Sequence, residues 1–160
     1  MTDKPDPETI DVAAIVARHR AEQVEYMLRA EELRPANKTA LFDALAAAGI
    51  TQVIVAFDGA GDSGQIEQID ARSGEDTVPL PPDEIMICSA AWGDPGFVAR
   101  TMTVEQAIEQ LAYDFLSDTH GGWENDDGAY GEFTFDVATR SISLDYNERF
   151  TSSEYYGHEF

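Results

Sequence analysis

The chain has 160 residues, with 31 acids against 10 bases and a formal net charge of −21, a length that suits one domain with a real core. Its apolar content of 43 %, with eight Phe, six Tyr and two Trp, excludes a chain that charge keeps unfolded. Such a field repels nucleic-acid phosphates and anionic lipid, which argues against direct nucleic-acid binding, and it favours a basic partner or a cation.

The charge is uneven. Residues 1–50 hold nine acids and six bases, residues 51–160 hold 22 acids and four bases, and no lysine follows Lys38. Cys88 is the sole cysteine, so no intramolecular disulfide forms, and with three scattered histidines there is no recognisable zinc site. The first eight residues are polar and acidic, unlike a signal peptide, and no apolar run approaches the roughly 18–20 residues of a membrane span. The expectation is a cytoplasmic protein without a membrane partner.

In chain order, residues 1–8 read as a mobile lead-in. A long helix follows over about 9–33, with Val12, Ile15, Val16, Val24, Met27 and Leu28 on one stripe and His19 at its edge as a partly buried structural residue. Pro35 ends it or starts the next helix, 37–48, with Asn37 as N-cap and Gly49 as the stop. The two form an N-terminal helical hairpin. Residues 52–57 are a β-branched strand, apolar on both faces and therefore central. Asp58–Gly64 is a turn-former loop, and Gln65–Ala71 completes a hairpin whose register stays open, with room for a bulge, because Ile66 and Ile69 do not alternate cleanly. Residues 72–84 read as loop, residues 85–100 carry no assignment, and Trp92–Gly96 is loop.

Residues 103–118 give the clearest helix signal. Thr103 and Gln106 make a capping box, and Val104, Ala107, Ile108, Leu111, Ala112, Phe115 and Leu116 form a stripe suited to lie across a sheet. His120–Gly131 is a glycine-rich acidic loop. Phe133, Phe135 and Val137 then alternate with Glu132, Thr134 and Asp136, and Ile142, Leu144 and Tyr146 with Ser143, Asp145 and Asn147. A turn around Thr139-Arg140 sets Val137 opposite Ile142, Phe135 opposite Leu144 and Phe133 opposite Tyr146. The outer face of this hairpin is acidic and carries no Lys or Arg. Residues 149–160 hold Phe150, Tyr155, Tyr156, His158 and Phe160, an aromatic content that predicts a docked tail. The fold class is α+β: an antiparallel sheet of two hairpins, about four strands, covered by one helix. Residues 1–50 form an N-terminal helical segment and 51–160 an acidic core, within a single domain overall.

Two loops could carry a site. Asp58, Asp62, Ser63 and Glu67 could gather a divalent cation through oxygen ligands, although the spacing is not that of an EF-hand. His120, Trp123, Glu124, Asn125, Asp126 and Asp127 could hold a metal or do acid–base work. Each loop also reads as a solvated turn in which glycine supplies positive φ, aspartate caps backbone N–H groups and Trp123 is a buried anchor. No nucleophile elbow, P-loop or dinucleotide-binding turn is present. The stretches Asp58-Gly-x-Gly-Asp-Ser-Gly-Gln-Ile-Glu and Gly-Gly-Trp-Glu-Asn-x-Asp-Gly-Ala-x-Gly-Glu-Phe-x-Phe-Asp-Val, with Asn-Glu-Arg and a His-Glu-Phe end, resemble a family of small acidic bacterial proteins catalogued as a domain of unknown function. The resemblance spans roughly 51–160 and implies a bacterial, cytoplasmic protein carried on mobile elements. Two functional readings follow. The first is a non-catalytic acidic interaction or regulatory protein that binds a basic protein surface. The second is a divalent-cation-dependent, hydrolase-like enzyme that uses loops 58–67 and 121–131.

Overall fold

The computed structural model describes residues 11–92 and 96–160. The lead-in expected over residues 1–8 and the middle of the Trp92–Gly96 loop lie outside them. The described chain runs α1 (Val12–Ala47), β1 (Gln52–Ala60), β2 (Ser63–Ser73), β3 (Asp76–Val78), β4 (Glu84–Ala90), β5 (Phe97–Thr103), α2 (Val104–Thr119), β6 (Ala129–Asp136) and β7 (Ser141–Glu148). It is α+β. Five antiparallel strands in the order β3-β2-β1-β6-β7 make the main sheet, and β4 and β5 make a separate hairpin. The estimate of four strands omitted β3 and the β4–β5 pair.

β1 is central, and Val53, Val55 and Phe57 alternate with half-buried Gln52, Ile54 and Ala56. One face is therefore covered and the other open, unlike a strand buried on both sides. The inner face meets α2 through Val104, Ala107, Ile108, Leu111 and Leu116, and α1 through Leu41, Phe42 and Leu45. Phe133 and Phe135 are fully buried there, while Phe115, Ile142 and Leu144 pack at the rim. The capping box of α2 forms as expected, with Thr103 and Gln106 exchanging hydrogen bonds.

The β6–β7 pairing differs from the expected register. Phe135 lies opposite Ile142 and Phe133 opposite Leu144, two residues from the pairing expected around a Thr139-Arg140 turn. A shift of two keeps every side chain on its face, which is why the hydrophobic pattern did not resolve it. The longer turn selects the register. Asp136 Oδ1 accepts from Thr139 N at 3.1 Å, and Arg140 takes a positive φ of 52°. The first hairpin does contain a bulge, between Ala56 and Phe57, which leaves Glu67 outside the pairing. Tyr113 Oη of α2 accepts the Ile66 N–H there at 2.9 Å.

The N-terminal helical hairpin is instead one helix of 36 residues with Pro35 inside it. Proline costs an internal helix about 3 kcal/mol, and contacts on both sides hold it. Arg34 pairs with Asp118 and lies 5.2 Å over the Phe115 ring. Asn37 is no N-cap. It is buried, donates to the Cys88 carbonyl at 2.8 Å and accepts from Cys88 N–H at 2.9 Å, as a neighbouring strand would. This amide binds the edge of β4 to α1. The stripe at Val12, Ile15, Val16, Val24, Met27 and Leu28 is 43–65 % exposed. At about 1.5 Å per residue the helix is about 54 Å long, roughly twice the length of the strands beneath it, so its first half runs past the sheet. His19 is exposed, with its ring 5.7 Å from Trp92. The tail is anchored only at its start, through Arg149 and Thr151, and residues 150–160 are all exposed rather than docked on the core.

Phe135 is closed off between α1 and the sheet, its ring 6.3 Å from Phe42. Phe135→Ala is expected to cost roughly 3–5 kcal/mol in urea unfolding. A loss near the roughly 0.5 kcal/mol of a surface change would refute the packing.

Candidate functional site

The two acidic loops meet. β1 and β2 are joined by a two-residue turn, Gly61 and Asp62, with φ of 59° and 66°. That is the twist a tight hairpin needs, and glycine and aspartate tolerate it. Much of the expected loop, Asp58–Ala60 and Ser63–Gly64, is therefore strand. The second loop leaves α2 at His120 and advances in short turns, with Trp123 N bonded to His120 O, Asn125 N to Gly122 O and Gly128 N to Asn125 O. It reaches the hairpin through backbone. Gly61 N donates to Asp126 O at 3.1 Å, and Asp62 N donates to Glu124 O at 2.9 Å.

Trp123 closes this contact on the inner face. It is 8 % exposed and meets Phe57 edge-on at 5.4 Å. Its ring lies on Gly59 and Gly64, where a Cβ on either glycine would overlap the indole. Gly59 and Gly64 are cross-strand partners, so their missing side chains form one seat. Gly128, with φ of 78°, passes so close to the Gly59 carbonyl that a Cβ would run into it.

Arg149 closes the other side. It grips Asp58 bidentately, Nη1–Oδ1 at 2.9 Å and Nη2–Oδ2 at 3.2 Å, the geometry that suits arginine and carboxylate. It also donates to Gly59 O and Ala129 O and stands 4.5 Å over the Tyr130 ring. Thr151 Oγ1 donates to Asp127 Oδ2 at 2.7 Å. Asp58 is thus matched by a base.

The remaining candidates separate. His120 stacks on Tyr146, ring centroids 3.6 Å apart. Glu67 accepts from Gln65 at 3.1 Å at the bulge. Asp62, Ser63, Asn125 and Asp126 are exposed, and Glu124 is half-buried. Among the described residues no group of three or more His, Cys, Asp or Glu side chains is placed to hold a metal ion. Beside the tryptophan lies a shallow depression of about 420 Å³ between Asp62, Tyr113 and Glu124. Chemically, the arrangement is a backbone and aromatic clamp that fixes two loops while leaving most of their carboxylates in water.

Sequence reasoning missed Arg149, Tyr113, Asn37 and Asp114. Arg149 belongs to the quoted Asn-Glu-Arg stretch and is one of four bases after residue 51, a scarcity that could have singled it out. Asp114 borders a cleft between α1, β4 and α2 and is open to solvent on one side. Burial of its carboxyl raises its pKa, the hydrogen bond from Gln110 opposes that, and Asp118 adds to the rise against Arg34.

Gly128→Ala combines left-handed strain with the clash on Gly59 and is expected to cost roughly 3 kcal/mol or more. Gly61→Ala has open space around it and should cost only the left-handed penalty, about 1–2 kcal/mol. Chemical denaturation of both variants checks this; equal losses would mean the loops are not in contact.

Among the described residues no helix is long and apolar enough to cross a membrane. No curated protein and no solved structure matches the chain. A family model described as a family of unknown function, DUF6878, matches residues 33–160. The match begins within α1, earlier than the span 51–160 that the motifs suggested, and it takes in Pro35, Asn37 and the packed end of that helix. The chain belongs to this family of unknown function.

Proposed function

We propose that this protein is a non-catalytic binding module whose open sheet face meets a basic protein surface. The register places Asp70, Glu132, Asp136 and Asp145 on the face opposite the helices, around Ile54, Ala56 and Thr134. The observation that carries the proposal is Glu132 directly opposite Asp145, both exposed. Like charges directly across a sheet are destabilising, by an amount similar to the roughly 0.2–1 kcal/mol that a good cross-strand pair contributes. A basic partner would turn that cost into attraction, and such charge patterns raise association rates and selectivity. Arg72, beside Gln52 at one corner, is the base that β2 adds to this face.

The cation-dependent enzyme reading gains no comparable support, since Asp58 is taken by Arg149 and the remaining loop carboxylates are spread apart. The partner reading predicts opposite effects on stability and binding. Glu132→Gln should raise stability by roughly 0.2–1 kcal/mol, and together with Asp145→Asn it should abolish capture of basic proteins from a lysate. Captured partners should elute as salt is raised to the range where the Debye length falls below about 8 Å. Equal capture by the wild type and the double variant would contradict the proposal.

A further inference from the structure

We propose that the aromatic C-terminal segment of one copy docks in a basic-rimmed groove of a second copy. The groove and its occupant are both visible in the chain. The groove runs between β7, α1 and α2, with Phe115, Ile142 and Leu144 along its floor and a volume of about 250 Å³. That is smaller than the roughly 300–1,000 Å³ of a small-molecule site and suits an aromatic side chain. Arg34 and Lys38 stand on its rim, and a depression of about 400 Å³ that shares both residues adds Arg140. Three of the ten bases of a chain with net charge −21 gather there, beside Glu31, which also lines the larger depression. Arg34 and Arg140 already pair with Asp118 and Asp43, whereas Lys38 makes no ion pair among the described residues.

The segment has the complementary character. Phe150 is 84 %, Tyr155 93 % and Tyr156 74 % exposed, an unusual amount of aromatic surface to leave in water. Glu154 and Glu159 flank these rings, and no lysine or arginine follows Arg149. An acidic aromatic segment facing an apolar groove rimmed by Arg34 and Lys38, the latter unpaired among the described residues, matches in charge and hydrophobicity, in a molecule whose remaining surface would repel a second copy.

The route favours a neighbouring copy over the chain's own groove. Thr151 is held to Asp127 and Arg149 to Asp58 at the clamped end of the sheet. To reach Leu144 of its own chain, the segment would have to reverse there and pass the stacked rings of His120 and Tyr146.

The test is sedimentation equilibrium of the full chain over a concentration series. Wild type should associate, and Tyr155→Ser with Tyr156→Ser should weaken association at least tenfold. Both tyrosines are exposed, so the fold should remain intact, which circular dichroism verifies. Lys38→Glu alone, and Glu154→Lys with Glu159→Lys alone, should each lose association. Mixed one to one they should regain it, because each copy then offers what the other lacks. A wild type that stays monomeric, tyrosine variants that associate as well as wild type, or a mixture that does not recover would each overturn the proposal.

Discussion

The Trp123 ring lying on Gly59 and Gly64 is the contact that the acidic half of the molecule depends on. A large aromatic can lie against a strand pair only where side chains are missing from both strands, and here two cross-strand partners lack them. Burying the indole removes its apolar surface from water and places the loop backbone where Glu124 and Asp126 carbonyls accept from Asp62 and Gly61. Those bonds satisfy groups that the end of a hairpin would otherwise expose. Gly128 allows the loop to cross Gly59 before β6 begins. The two glycine-rich stretches therefore form one structure in two pieces, and both lie within the residues 33–160 that the family model matches.

Scarce positive charge is used in the same way. Arg34 with Asp118, Arg140 with Asp43 and Arg149 with Asp58 join segments 84, 97 and 91 residues apart. Exposed pairs contribute little each, typically 0–1 kcal/mol. Their effect is placement: Arg34 steadies the helix beside Pro35, and Arg149 fixes the end of β7 to the start of the loop clamp. With bases committed to these positions, the outer sheet face keeps its carboxylates largely unmatched. The same allocation links the fold to the proposed basic partner.

Much of the fold was legible where period and burial agree. Alternation of Phe133 and Phe135 with Glu132 and Thr134 named the correct faces, and the Thr103–Gln106 pair named the start of α2. Register was not legible, because a two-residue shift preserves every face and only the turn around Arg140 decides it. The continuous α1 was hidden because proline normally ends a helix, and the Asn37–Cys88 bonds that hold it are 51 residues apart in sequence. β4 and β5 lacked clean alternation, since their exposed sides carry Met86 and Phe97. The loops were legible as residues of interest. That they face each other, and that Arg149 rather than a cation balances Asp58, needed three-dimensional placement.

The central claim is that Trp123 and Gly64 form one contact, and a double-mutant cycle tests it most directly. Gly64 has no positive φ, so Gly64→Ala acts only through the added Cβ. Unfolding free energies of wild type, Gly64→Ala, Trp123→Leu and the double variant should show strong coupling. The alanine should be costly under the indole, by roughly 1–3 kcal/mol, and nearly neutral once leucine leaves room for it. Additive losses, within about 0.3–0.5 kcal/mol, would contradict the account.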